Sequence, residues 1–206
     1  MKRFEFHLAR DQTEWIFRPI RTKLDVIVIL MRIIKIMIAY KEPAPDQIAG
    51  HFTLIVDAMS RVVFVSEKKI YSINFPFRVT GELGNFRFYN HFYQDINSKA
   101  TSNILGFINE DGVFNYHDVL DFAAPIVGVC DADREIWALL RELLLWEEGY
   151  IRYDDDQKHE DGDRHPRYHL DVFYSSGATF KIGLRKAIEH PEFSDILDIN
   201  TDCRFM

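Results

Sequence analysis

The chain has 206 residues, 47% of them hydrophobic, with 17 Phe, 9 Tyr and 3 Trp, which is enough apolar material for one well-buried core. Its 25 Lys and Arg stand against 32 Asp and Glu, a net charge of −7. That balance disfavours non-specific binding to nucleic acid or to anionic membranes, while leaving room for a local basic groove.

In chain order, Met1 to Glu5 begins basic but has no apolar run behind it, so no signal peptide is expected. Glu14 to Arg18 reads as a short helix stopped by Pro19. Leu24 to Tyr40 is strongly apolar and reads as a helix, with Asp25, Arg32 and Lys35 near one stripe; its Ile and Val density leaves a strand open. It is short of the ~20 residues of a membrane span, and each of its charges would cost roughly 2.5–3.5 kcal/mol at a bilayer centre. It is therefore expected to be buried or to face a partner chain. Lys41 to Asp46 is a linker. Gln47 to Met59 reads as a second helix, with Ile48, Phe52, Ile55, Val56 and Met59 on one side.

From Arg61 to Tyr93 the pattern turns β-like. Residues 62–65, 70–75, 77–80 and 86–89 are apolar and aromatic runs punctuated by Pro76, Gly81 and Gly84-Asn85, which predicts an antiparallel meander. Ser98 to Ile108 is expected as a short helix and Val113 to Tyr116 as a strand. His91 reads as packing and His117-Asp118 as a turn or helix cap. Asp131 to Glu148 is the clearest amphipathic helix: Ile136, Leu139, Leu140, Leu143 and Trp146 fall on one stripe, and Gly149 ends it. Cys130 and Cys203 lie in no CxxC motif and are expected as free thiols in a reducing cytosol. The fold class is α+β: an antiparallel β-sheet with N-terminal helices, one long amphipathic helix (131–148) and a C-terminal β-hairpin. One domain spans 1–206, helical to about residue 60 and sheet-rich beyond it.

The C-terminal region admits a sharper argument. Tyr150 to Asp154 alternates like a strand, with Arg152 and Asp154 on one face. In the next strand Pro166, Tyr168, Leu170, Val172 and Tyr174 alternate with His165, Arg167, His169, Asp171 and Phe173. In the last one Ala178, Phe180, Ile182 and Leu184 alternate with Thr179, Lys181, Gly183 and Arg185. Residues opposite each other must share a face. A two-residue loop violates that rule, whereas a three-residue loop, Ser175-Ser176-Gly177, satisfies it and puts Gly177 at a left-handed position. The resulting register pairs Val172 with Phe180 and sets Asp171 opposite Lys181, with His169 two residues away on the same face. Arg152 and Asp154 join them if their strand is the hairpin's neighbour.

Carboxylates and a lysine on adjacent strands suit metal-dependent phosphodiester cleavage, in which the acids hold the cation and the lysine meets the developing charge on phosphate. The pattern departs from the usual acid-x-Lys pair, because residue 179 is Thr. A metal-free version uses His169 as general base, Asp171 to orient it, and Arg152 and Lys181 as electrostatic partners. His165 and Arg167 are candidate substrate-binding groups. His159, His165 and His169 offer a third option, a transition-metal site, at a spacing that fits no zinc signature. A cross-strand Asp–Lys pair is also ordinary on a solvated sheet face, and the acids Asp155, Asp156, Asp161 and Asp163 read as solvent-facing.

The segment Arg152-Tyr153-Asp154 … His165-Pro166 … His169-Leu170-Asp171 resembles a pattern in uncharacterised bacterial proteins of toxin–antitoxin or phage-defence loci. The resemblance covers residues 152–171. It implies an intracellular, cytoplasmic bacterial protein working with a second chain, a protein partner or a homo-oligomer. The polar face leaves nucleic acid an open ligand and a divalent metal an open cofactor, and the charges of Leu24–Tyr40 speak against a membrane. Two functions follow as expectations: a toxin-like or defence-associated protein acting on nucleic-acid phosphodiesters, or a non-catalytic subunit that binds its partner through the apolar N-terminal helix. Whether the chain is an enzyme is left open by the residues themselves.

Overall fold

Alternation of apolar and polar residues from Lys2 to Ala9 produces the first strand, β1, with Phe6 and Leu8 fully buried on one face. Helix α1 (Arg10–Ile16) follows and ends before Pro19, which cannot continue it. The computed structural model describes residues 1–109, 134–175 and 178–202. These fall into two compact units interleaved in sequence: Met1–Arg21 with Glu42–Phe75 and Glu148–Met206, and Thr22–Lys41 with Pro76–Glu147. This division differs from an N-terminal helical part followed by a sheet-rich part.

The first unit is built on a seven-stranded antiparallel sheet in the order β1-β2-β3-β4-β7-β8-β9. Its strands are β1, β2 (Ile48–Val56), β3 (Arg61–Val65), β4 (Lys69–Asn74), β7 (Ile151–Asp155), β8 (Tyr168–Val172) and β9 (Phe180–Gly183). The helix expected over Gln47–Met59 is in fact β2. Its apolar residues lie on both faces, Phe52 and Leu54 on one and Ile55 on the other, so the period of two is masked and a helical spacing shows through. Pairing with β1 on one side and β3 on the other decides the matter. The N-terminal sixty residues thus hold two strands as well as two helices.

One sheet face carries Val63, Ile70, Tyr153 and Leu170, closed by Ile188 and by Phe193 of helix α5 (His190–Ile196). The opposite face changes character along the strand order. A row of residues in register runs Phe6, Phe52, Phe64, Tyr71, then Arg152, Asp171 and Lys181. The aromatic half is stacked, with ring centroids 4.8 Å apart for Phe6–Phe52 and 4.4 Å for Phe64–Tyr71. Tyr71 donates its hydroxyl to the Ile16 carbonyl at 2.9 Å, tying α1 to the sheet.

The second unit contains helix α2 (Lys23–Ile38), the two-stranded sheet β5 (Arg78–Thr80) and β6 (Arg87–Tyr89), helix α3 (Ser98–Asn109) and helix α4 (Arg134–Leu145). Thr22 caps α2 in a reciprocal pairing with Asp25. Val26, Ile27, Leu30, Met31, Ile33 and Ile34 of α2 are buried, the first of the two environments expected for this apolar segment. Among the described residues no helix is long and apolar enough to cross a membrane. Helix α4 buries Ile136, Leu139, Leu140 and Leu143 as the stripe predicts, but it ends at Leu145 and leaves Trp146 half-buried beyond it. The meander expected over 61–93 divides between units, since among the described residues β5 and β6 pair with each other and not with the larger sheet. His91 lies in an exposed bend rather than in a strand. The strand expected over Val113–Tyr116, the His117-Asp118 turn, Asp131, Cys130 and Cys203 lie outside the described residues.

Candidate functional site

Strand β7 places Ile151 and Tyr153 toward the apolar cluster and Arg152 and Asp154 on the other face. Strand β8 lies directly beside it, with Arg152 opposite Asp171 and Asp154 opposite His169. In the hairpin, Val172 pairs with Phe180, Leu170 with Ile182 and Asp171 with Lys181, the register expected from strand phase. The strands are shorter than the alternation suggests. Phe173 adopts φ 64°, which breaks the period, and Pro166 lacks the donor a ladder needs. Gly177, the expected left-handed residue, lies outside the described residues.

The five residues singled out, Arg152, Asp154, His169, Asp171 and Lys181, therefore meet, and three of them are buried while Lys181 stays exposed at the edge. Asp154 is 6% exposed, Asp171 7% and His169 1%. This excludes the ordinary surface ion pair, because burying two carboxylates is costly unless they are compensated. Arg152 supplies much of the compensation. Its Nε donates to Asp154 Oδ2 at 2.8 Å, and one terminal nitrogen donates to Asp171 Oδ2. Burial acts to lower the Arg152 pKa, but Tyr150, Asp154 and Asp171 outweigh it, and the guanidinium is held more firmly protonated than usual. A second Arg152 nitrogen reaches the Tyr150 hydroxyl at 3.4 Å, and burial pushes the Tyr150 pKa up.

His169 Nδ1 lies 2.8 Å from the Pro166 carbonyl, which can only accept, so Nδ1 carries a hydrogen and Nε2 turns toward the cluster. Lys181 Nζ meets that Nε2 at 3.1 Å and approaches Asp171 Oδ1 at 3.4 Å. The arrangement depends on Gly183, the residue paired with His169. A Cβ there would lie 3.0 Å from Cγ of Pro166, so the missing side chain lets Pro166 settle over β9 and present its carbonyl.

The loop between β7 and β8 is tied down rather than simply solvated. Asp156 accepts from the backbone of His159 at 3.2 Å and lies 3.3 Å from His165 Nε2. Burial is the largest single effect on Asp156 and pushes its pKa up, but the bonds from His159 and His165 together outweigh it, and the pKa falls below the usual carboxylate value. Asp155 pairs with Arg167 through two bonds of 2.6 and 3.1 Å, and those bonds likewise lower its pKa. Asp155 and Asp156 are thus structural, whereas Asp161 and Asp163 are exposed as expected. His165 packs edge-on against His169 with ring centroids 4.8 Å apart. His159 is exposed and bonded to Asp156, so the three loop and strand histidines do not converge on one point. Arg167 is engaged by Asp155 and lies over the Tyr168 ring, at the wall of the cleft described next.

An open cleft borders the cluster. It is lined by Arg152, Asp154 and Arg167 together with Lys68, Lys69 and Lys158. Lys69 is the register partner of Asp154 on β4. Sequence reasoning missed Lys68, Lys69 and Tyr150, because β4 and β7 become neighbours across more than seventy intervening residues. The only local signal was the matching alternation in Lys69–Tyr71 and Arg152–Asp154. Asp155 and Asp156 also line the cleft, so five basic residues stand there against three carboxylates.

No protein-family model, no curated protein and no solved structure matches the chain.

Proposed function

We propose that the polar half of this sheet acts on a phosphodiester of nucleic acid, with Asp154, His169 and Asp171 as the reacting or cation-holding groups and Lys181 as the charge that meets the phosphate. The observation that carries this reading is the juxtaposition of a buried Asp–His–Asp cluster with a cleft edged by Lys68, Lys69, Lys158 and Arg167. A phosphodiester needs cations along its non-bridging oxygens and a group that prepares the attacking water, and both are within one strand spacing of each other. The resemblance of residues 152–171 to uncharacterised bacterial proteins of toxin–antitoxin or phage-defence loci agrees with a cytoplasmic effector. The alternative role as a binding subunit loses its proposed surface, since the apolar residues of α2 are buried within this chain.

The test is cleavage of labelled single-stranded RNA, single-stranded DNA and duplex DNA by the purified protein. His169→Ala and Asp171→Ala are each expected to lower the rate by about 100-fold or more, the scale of a general acid–base contribution. Lys68→Ala with Lys69→Ala is expected to raise KM while leaving kcat largely unchanged, because these side chains would bind rather than react. Cleavage at undiminished rate by both His169→Ala and Asp171→Ala overturns the reading.

A further inference from the structure

The cluster contains a chemical imbalance that Arg152 does not remove. Arg152 bonds the Oδ2 atoms of Asp154 and Asp171. The other oxygen of each, Oδ1, is buried and has no hydrogen-bond partner. Lys181 stands 3.4 Å from Asp171 Oδ1 as an ion pair without hydrogen-bond geometry, and Asp154 Oδ1 has no such neighbour. Buried carboxylate oxygens are rarely left in this condition without a purpose.

We propose that Asp154, His169 and Asp171 form a three-ligand site for a divalent cation of the Mn²⁺ or Zn²⁺ class, and that the Lys181 ammonium holds the place of that cation in its absence. The site rests on the same side chains as the phosphodiester reading and deepens it by naming the cofactor. Each of the three residues offers one ligand atom, and these atoms lie within 4.8 Å of one another. Bonds of about 2.1 Å put two ligand atoms roughly 3.0–4.2 Å apart, depending on the angle between them. His169 Nε2 already lies 3.8 Å from Asp154 Oδ2 and 4.0 Å from Asp171 Oδ2, so small side-chain rotations suffice.

The surroundings fit a metal centre in three respects. His169 donates Nδ1–H to a backbone carbonyl, the bond that fixes the tautomer and aims Nε2 at a metal. Arg152 grips the Oδ2 atoms, which are also the carboxylate oxygens nearest His169 Nε2, and the unpartnered Oδ1 atoms leave each carboxylate a second oxygen for a cation. Three protein ligands leave positions open for water and for a phosphate oxygen on the side of the cleft. The donor set selects the cation: two carboxylates suit hard ions, but an imidazole nitrogen disfavours Mg²⁺ and Ca²⁺ relative to Mn²⁺ and Zn²⁺. Lys181 is bonded to Nε2, the atom a metal would take, and is itself partly exposed, so it can swing outward when the cation enters. From there it can reach a phosphate bound to the metal.

The experiment uses the full chain, stripped with chelator and titrated with MnCl₂ alone, with bound metal read by the loss of the free Mn²⁺ resonance and stability read by thermal shift. One equivalent is expected to bind and to raise Tm. Lys181→Met is expected to bind Mn²⁺ about tenfold more tightly, since a competing cation has been removed. Asp171→Asn and His169→Gln are expected to weaken binding by at least about 100-fold, beyond what loss of an outer hydrogen bond costs. Should either ligand variant fail to fold, Lys181→Met decides: it alters a partly exposed side chain and keeps all three ligands. Absence of binding in both the wild type and Lys181→Met overturns the proposal, as does Mn²⁺ affinity unchanged in a folded Asp171→Asn. Metal binding without nucleic-acid cleavage would overturn the hydrolytic reading and leave the metal site. Cleavage that persists in chelator, by protein that binds no Mn²⁺, would do the reverse.

Discussion

Arg152 is the residue on which the site turns. It neutralises two buried carboxylates from neighbouring strands, so its removal leaves both without their main partner. Arg152→Met is expected to destabilise the fold by about 3–5 kcal/mol, the cost of breaking a buried charge pair from one side. The triple variant with Asp154→Asn and Asp171→Asn is expected to recover much of that loss, and urea denaturation of the series measures it. Gly183 makes the complementary point about space. Gly183→Val forces its side chain against Pro166 and is expected to cost about 1–3 kcal/mol, the usual range for overpacking, while displacing the acceptor that orients His169. A lowered urea midpoint together with a shifted His169 imidazole resonance would show both effects; a variant as stable as the wild type would show that Pro166 yields freely. Both roles were only half-visible in sequence. Alternation put Arg152 beside Asp171 only on the condition that β7 borders the hairpin, and nothing local indicated that the carboxylates would be buried.

At the scale of elements, the hairpin shows what strand phase can and cannot supply. The pairing of Asp171 with Lys181 followed from period-two faces and the parity of the loop, both local properties. The contact between β4 and β7 did not, because Asn74 and Ile151 are brought together over a long insertion belonging to the other unit. That junction is held by Arg61, which is buried and bonds Ser72, Asn74 and the Gly149 carbonyl, joining β3, β4 and the turn into β7. Burial draws the Arg61 pKa down to about 10. Gly149 is required there: its φ is 50°, and a Cβ would meet Asn74 Nδ2 at 2.7 Å. Arg61→Leu removes three bonds and leaves buried acceptors unmet, with an expected cost of about 1–3 kcal/mol. Hydrogen exchange should then rise first in β4 and β7, and a uniform rise across the sheet would count against the staple.

At the scale of the whole molecule, a second histidine group tests how the first unit responds to pH. His7 and His51 face each other across β1 and β2, and His190 at the start of α5 packs 5.4 Å from His51, ring to ring. Burial lowers the pKa of His51 from its usual 6.5, with Glu5 opposing and His7 adding to the effect. Burial also lowers that of His190, with His51 and Arg3 adding and Glu5 opposing. His7 is itself paired with Glu5 and Glu42. Because the folded pKa values lie below the unfolded ones, the unfolded chain binds more protons as pH falls past about 6.5. The stability from these residues is therefore complete above that pH and is lost as pH falls toward the folded pKa values. Tm is expected to decline between about pH 7 and pH 5, and His190→Gln should flatten the decline; an equal slope in the variant would place the pH response elsewhere.

By itself the sequence determined the α+β class, the amphipathic stripe of α4, the hairpin register and the shared face of His169, Asp171 and Lys181. All of these are set by period and parity within a few residues. Only the tertiary structure decided that Gln47–Met59 lies in the sheet, that β7 borders β4, that Lys68 and Lys69 reach the site, and that two carboxylates there are buried. Those outcomes depend on which strands pair over long separations and on what covers each face, and local residue patterns carry neither.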